Sequence, residues 1–269
     1  MQLFGQIRKV IISDMIFDYS QFDIDFDIKE EEKNKATIAT VIIYNLSEET
    51  KLKIRKGLDI TVMAGYEEMN GVIFNGVIDL DTTTRDGADF ATKIIATQNN
   101  RQYTNTIINR QFKAGIKASE IMKQLESISN YTVIIRELAK DTNYPSGKAF
   151  SNRLSNVVNI LARDTGTIAV FTNDTIEFKL PNKAYTDILT LGAKQGLISV
   201  ARKEQANDKK DSKVEMYEIE SFLVPIIKIG QLLQIESTTY TGKAKVKKCN
   251  YIASGEDTHI VHALVEVVE

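Results

Sequence analysis

Gln21-Phe22-Asp23-Ile24-Asp25-Phe26-Asp27-Ile28 alternates without a break. Phe22, Ile24, Phe26 and Ile28 fall on one face of an extended chain, and Asp23, Asp25 and Asp27 fall on the other. A period of two predicts a half-buried strand, and the surrounding sequence continues in the same vein. Residues 29–35 are polar and predict a turn, and residues 36–44 (ATIATVIIY) are β-branched and aromatic and predict a second strand. Ser47 is placed to cap a short helix. Glu48 and Glu49 stand in its first turn, Lys53, Arg55 and Lys56 in its last, and Gly57 is expected to end it in the left-handed conformation. Leu58–Ala64 and Val72–Leu80 read as a hairpin joined through Gly65 to Gly71, followed by a strand over Phe90–Thr97.

The texture changes around Asn99. Ile121, Met122, Leu125 and Ile128 form a helical stripe, as do Leu154, Val157, Val158 and Leu161 after a predicted cap at Ser151; Gly166 stops the second helix. Tyr131–Ile135 predicts a short strand, and Ile168–Phe171 with Thr175–Leu180 a hairpin about Asn173-Asp174. Residues 100–185 are therefore a mixed α/β insert between β regions. From Gly192 strands return over Val214–Glu220, Leu232–Glu236, Ala244–Ile252 and His259–Val268, which suggests a small barrel. The polar stretch 202–213 predicts a mobile loop.

Composition narrows the function. Of 269 residues 43% are hydrophobic, enough for a sizeable core, and 34 basic against 36 acidic residues leave a net charge of −2. That balance argues against nucleic acid or an anionic membrane as the main partner. Neither a secretory leader nor an apolar run long enough to span a bilayer is present, so synthesis in a cytoplasm is expected. Cys249 has no second cysteine, and it is expected to be buried and inert. His259 and His262 are three apart in a predicted strand and point to opposite faces, so they do not chelate one ion. Asp23, Asp25 and Asp27 lack the glycine and the final glutamate of a calcium loop. They read as a solvated outer face or as an acidic stripe lining an aqueous channel. Asp79 and Asp81 share a strand face without making a cleft, and Lys243, Lys245 and Lys247, with Lys248 beside them, read as a solvated edge that discourages strand addition or as a contact for phosphates. No nucleophile, phosphate-loop or zinc-protease motif occurs. No catalytic residue, metal ligand or cofactor is expected.

Several phrases carry a resemblance. Residues 39–47, with Tyr44-Asn45-Leu46-Ser47, then Gly57, then Ala64-Gly65-Tyr66, then Ile73-Phe74-Asn75-Gly76, are similar to the N-terminal region of phage tail baseplate hub proteins. Residues 147–171, ending in Leu161-Ala162-Arg163-Asp164-Thr165-Gly166, resemble that family's middle helix. Gly196-Leu197-Ile198, Ser221 to Pro225, Gly230 and Ile235-Glu236-Ser237 resemble its C-terminal stretch. Asn34-Lys35-Ala36 stands where many relatives carry Pro-Asn-Thr-Ala.

The resemblance implies an α+β, mainly β fold: two small β-barrel-like domains, residues 1–98 and 191–269, flanking a mixed α/β domain over 99–190. It further implies a non-enzymatic virion protein of the tail baseplate, assembled in the host cytoplasm. Three chains would form a pseudo-sixfold ring joining the tail tube to the central spike, with DNA passing through unbound. Partners implied are two further copies, the tube or distal tail protein, the spike, the tape-measure protein and the baseplate wedges, with no membrane insertion. In such a ring Asp23, Asp25 and Asp27 would line the lumen and repel phosphate. A tail-associated cell-wall hydrolase and a receptor- or glycan-binding tail module are the alternatives.

Overall fold

The computed structural model describes residues 4–31, 37–98, 106–129, 131–172, 175–180, 188–203 and 215–268. The chain divides into two compact units, one made of residues 1–98 together with 187–269, the other of residues 99–186. Strands dominate and helices are few, so the mainly β, α+β class holds.

The first unit opens with β1 (Gln6–Ile12), β2 (Met15–Asp18), β3 (Ile24–Glu31), β4 (Ile38–Tyr44), helix α1 (Glu48–Lys53), β5 (Asp59–Tyr66), β6 (Met69–Asp86) and β7 (Asp89–Gln98). The alternation that predicts β3 is realised, with Ile24, Phe26 and Ile28 buried. Ser47 caps α1 by accepting from the Thr50 amide at 3.2 Å. The helix ends at Lys53 rather than at Gly57, because Ile54 turns extended and buries its side chain in the core; Gly57 takes its left-handed φ of 94° in the turn that enters β5. The β5–β6 hairpin closes at Glu67-Glu68 rather than across Gly65 to Gly71, and β6 runs well past Leu80.

The second unit contains β8 (Ile107–Phe112), β9 (Ile116–Lys117), α2 (Ala118–Ser129), β10 (Thr132–Ile135), β11 (Asn143–Tyr144), β12 (Lys148–Arg153), α3 (Leu154–Thr165), β13 (Ile168–Thr172) and β14 (Thr175–Lys179). The apolar stripes of both helices, Ile121, Met122 and Leu125 on one and Leu154, Val157, Val158 and Leu161 on the other, are buried in one cluster with Phe112, Phe150 and Phe178. Ser151 does not cap α3. It is held in the β8–β12 ladder opposite Asn109, so the helix begins three residues later, after Arg153. Gly166 ends α3 with φ 67°, as its lack of a Cβ permits. Asn173-Asp174 lies outside the described residues.

The chain returns to the first unit with β15 (Leu189–Gly192), a 3-10 turn (Ala193–Gln195), β16 (Leu197–Lys203), β17 (Met216–Phe222), β18 (Leu232–Glu236), β19 (Thr241–Ser254) and β20 (Thr258–Val267). Of the expected loop over 202–213, residues 204–213 lie outside the described residues, as do Asn34-Lys35-Ala36. The strands form one 13-stranded sheet in the order β16-β17-β20-β19-β3-β4-β7-β6-β5-β1-β2, with β15 and β18 branching from β19. The path does not return on itself among the described residues, so the expected barrel-like domains are not closed barrels; β19 instead diverts the sheet by taking β18 and then β3 along one side.

That strand is the hinge of the sheet. Its first half pairs with β18, its second half with β3, and β20 runs along the whole opposite edge with a bulge at Lys247 where the partner changes. The N-terminal and C-terminal strands thereby share one ladder and one core, in which Ile24, Ile28, Val41 and Ile60 pack in a single cluster with Val246, Tyr251 and Val261. Each such aliphatic side chain contributes about 1.5–3 kcal/mol on burial.

Candidate assembly surfaces

The three aspartates of β3 do not form a uniform stripe. Asp23 is exposed, and Asp27 pairs with Lys29 at 2.9 Å. Asp25 is mostly covered. It accepts from the Gly255 amide at 3.0 Å, from Ser254 Oγ at 3.1 Å and from Tyr44 Oη at 3.5 Å, and it lies 3.8 Å from a guanidinium nitrogen of Arg8.

Arg8 is 1% exposed. It donates to the carbonyls of Ile24 (3.0 Å), Gly255 (2.7 Å) and Thr258 (3.3 Å) and to Gln6 Oε1 (2.7 Å), and its guanidinium lies 4.2 Å from the Tyr19 ring centre. These bonds tie β1 and β3 to the β19–β20 turn. His259 is buried beside them with neither ring nitrogen hydrogen-bonded, stacked on Tyr66 at 5.1 Å. Burial, reinforced by the Arg8 charge, pushes the imidazole down to about 3, so it is neutral at ordinary pH. Sequence reasoning missed this centre. The signal was present, since Arg8 occupies the buried phase of β1 with Val10 and Ile12. Glu30 likewise continues the apolar phase of β3, and burial, opposed by Lys228, raises its carboxyl to about 7.

Most of the motif positions have structural tasks. Tyr44 closes β4. Asn45, with φ 55°, accepts from the Phe90 amide at 3.0 Å and donates to Asp89 at 2.9 Å, which fastens the start of β7, beside the β6–β7 turn, to the end of β4. Leu46 is in the core. A Cβ on Gly65 would meet the Met69 carbonyl at 2.2 Å, and one on Gly76 the Thr97 carbonyl at 2.3 Å and the buried Phe74 ring at 2.5 Å. Tyr66 stacks on His259, Pro225 is buried and packs against Gly71, and Gly230 turns with φ 79°. Ser237 closes the β18–β19 turn by accepting from the Tyr240 amide at 3.0 Å. In the second unit Asp164 accepts from Tyr144 Oη at 2.9 Å, and the Thr165 hydroxyl donates to the Leu161 carbonyl at 2.8 Å.

Three kinds of surface remain for partners. The first is the set of sheet ends, where β2, β15 and β16 each have one neighbouring strand among the described residues. The second is a groove of about 620 Å³ on the outer face of β3, β19, β20, β17 and β16, crossed by the register row Lys29, Asn250, His262, Glu220 and Ser199. His262 faces this groove and His259 the core, on opposite faces as their spacing requires. The third is the distal part of the β6–β7 hairpin, exposed on both faces from Thr82 to Phe90. Asp79 and Asp81 stand near its root, and Asp79 accepts from Thr97 Oγ1 at 2.6 Å.

The lysines of β19 are not a solvated edge. That strand is paired on both sides, Lys245 is buried, and Lys247 meets Glu266 at 2.9 Å. Cys249 is buried, with its thiol pushed up by burial. Among the described residues no group of three or more His, Cys, Asp or Glu is placed to hold a metal ion, and no helix is long and apolar enough to cross a membrane.

Neither a protein-family model nor a curated protein matches the sequence. Solved structures do. A 43 kDa tail protein of prophage MuSo2 from Shewanella oneidensis superposes with a TM-score of 0.68 over 97% of this chain and 98% of its own, at 9% identity. The tail protein from Neisseria meningitidis MC58 gives 0.69 over 98% and 97%, at 7% identity. The chain has the fold of phage tail proteins. An Escherichia coli protein described as a component of the type VI secretion system, with structural similarity to the T4 phage tail proteins gp27 and gp5, shares that fold with a TM-score of 0.61 over 97% of this chain and 77% of its own, at 9% identity. Identities this low place the likeness in the backbone path and the core pattern rather than in particular surface residues.

Proposed function

We propose that this chain is a structural hub of a phage tail or a related tail-like particle and that it catalyses no reaction. Three copies form a ring between the tail tube and the central spike, and DNA passes through the ring without being bound. The observation that carries this reading is the correspondence of fold with two tail proteins over nearly the whole of both chains. The likeness to a protein described as a type VI secretion component extends the reading to secretion particles built like tails.

The fold suits that role. An open sheet whose end strands β2, β15 and β16 each have one neighbour among the described residues, with a hairpin whose tip is exposed, offers main-chain and side-chain groups to neighbouring copies. On this reading the N-terminal and C-terminal parts of the sheet are the two wedges that each copy gives the ring, joined along β3 and β19. Of the acidic stripe, Asp23 and Asp27 face the lumen, while Asp25 serves the fold. The spike, the tube or distal tail protein, the tape-measure protein and the wedges are the remaining partners, and the particle's tail baseplate is the location.

Light scattering on the purified protein, with electron microscopy of the particle after gold labelling of this chain, tests the proposal. Trimers and label at the tube–spike junction are expected. A strictly monomeric protein absent from the tail overturns it, and so does clearing of peptidoglycan in a zymogram.

A further inference from the structure

The net charge of −2 conceals a division between the units. Residues 99–186 carry 12 basic and 7 acidic side chains, whereas the rest of the chain carries 22 basic and 29 acidic. Within the second unit the imbalance is concentrated. Residues 106–119 and 142–163, which hold β8, β9, β11, β12 and most of α3, contain Arg110, Lys113, Lys117, Lys148, Arg153 and Arg163 and not one carboxylate side chain. Local pairing brings these segments together, β8 against β12 and β9 against β11. Lys148 and Arg163 are partly neutralised by Asp164, at 3.4 and 3.6 Å. Arg110, Lys113, Lys117 and Arg153 are exposed, and Ile107, opposite Arg153 in the ladder, is 70% exposed. The β8–β12 ribbon is therefore a cationic surface with an apolar side chain at its end, which fits an acidic surface that also presents apolar side chains.

The first unit contains such a surface. Residues 79–93 of the β6–β7 hairpin hold Asp79, Asp81, Asp86 and Asp89 against Arg85, whose Nε is bonded to the Gly87 carbonyl, and Lys93, which stands opposite Thr82, while Lys51 Nζ lies 4.8 Å from the Phe90 ring centre. Leu80 and Phe90 are 53% and 47% exposed. The pairing of β4 with β7 ends at Tyr44 opposite Ala91, so residues 85–90 are a two-stranded tip with exposed side chains; such a tip gains little from a core and is stabilised by covering one face. Opposite charge and exposed apolar groups at both elements meet the two requirements of a specific contact.

We propose that the β8–β12 ribbon of one copy docks on the acidic β6–β7 arm of a second copy. The inference rests on the homo-oligomer of the proposed function and names its contact. A surface and its complement at different places on one molecule make a head-to-tail interface, the kind that closes into a ring.

Sedimentation velocity on the full chain tests it. Arg110→Glu with Arg153→Glu, and separately Asp81→Lys with Asp86→Lys, are each expected to weaken self-association about tenfold or more, and the chain with all four changes is expected to recover it. Circular dichroism of each variant checks that these substitutions, at three exposed sites and the half-buried Asp81, leave the fold intact. If the wild-type chain associates and neither pair of reversals weakens it, or if the fourfold chain fails to recover, the contact is wrong while the hub reading stands. A wild-type chain that stays monomeric at every concentration and salt overturns the contact, and if it is also absent from the tail the hub reading falls with it.

Discussion

Gly255 donates its backbone N–H to Asp25 Oδ1 at 3.0 Å, across 230 positions of sequence. The bond fastens the β19–β20 turn to β3, and Arg8 grips the same turn from β1 through the Gly255 and Thr258 carbonyls. An aspartate on the polar phase of a strand is thereby part of the architecture. Asp25→Ala is expected to cost about 3 kcal/mol, since it removes the counter-charge of a buried guanidinium and orphans an amide. Asp23→Ala and Asp27→Ala are expected to cost less than about 1 kcal/mol, because one is exposed and the other makes a surface ion pair. Urea titrations of the three variants check this ordering.

His259 makes the protein sensitive to acid. Its imidazole is held down to about 3 in the folded chain and titrates near 6.5 when unfolded. Below 6.5 the unfolded chain takes a proton that the folded chain refuses. Stability is complete above that pH and is lost as pH falls toward 3, by up to about 1.4 kcal/mol per pH unit from this residue. His259→Phe, which preserves stacking on Tyr66, is expected to flatten that part of the pH profile of urea midpoints.

Glu30 acts with the opposite sign. Its carboxyl is raised to about 7 from the ordinary 4.5, so the folded chain holds a proton that the unfolded chain releases. The resulting stability is full below 4.5 and is lost as pH rises through 7. Glu30→Gln keeps the neutral shape, and at pH 8 it is expected to exceed the wild type by on the order of 2–3 kcal/mol, with no gain at pH 4.

Two glycines of the first unit separate crowding from backbone conformation. Gly76→Ala drives a Cβ into the Thr97 carbonyl and the Phe74 ring and is expected to cost about 3 kcal/mol or more. Gly87→Ala meets open space at a φ of 59° and is expected to cost about 1 kcal/mol. Thermal unfolding of both variants supplies the comparison.

Asn45 anchors the arm by two side-chain bonds and a left-handed backbone. Asn45→Ala is expected to lower global stability by about 1–2 kcal/mol. It is also expected to speed amide exchange over residues 82–92 well before the rest of the sheet. Uniform acceleration across the chain would contradict an anchoring role confined to the arm.

The local elements were readable because each depends on neighbours in sequence. Alternation predicts β3, β-branched and aromatic composition predicts β4, helical spacing predicts α2 and α3, and Ser47 is recognisable as a cap. Where prediction failed, a distant partner decided. Ser151 has the chemistry of a helix cap, but the ladder to Asn109 holds it in a strand. Gly57 can end a helix, but the burial of Ile54 ended α1 earlier. The β19 lysines looked like an edge because nothing local reveals that β3 and β18 fill that side of the strand.

By itself the sequence determined which segments are strands and helices, which faces are apolar and that the chain is mainly β, since those follow from side-chain period and local capping. Only the tertiary structure decided that strands from the two ends of the chain share one sheet, that Arg8, Asp25 and His259 meet at its seam, and that one unit gathers the bases while the other presents an acidic arm. Pairing between distant strands is selected by the whole core at once, and no stretch of sequence carries that information alone.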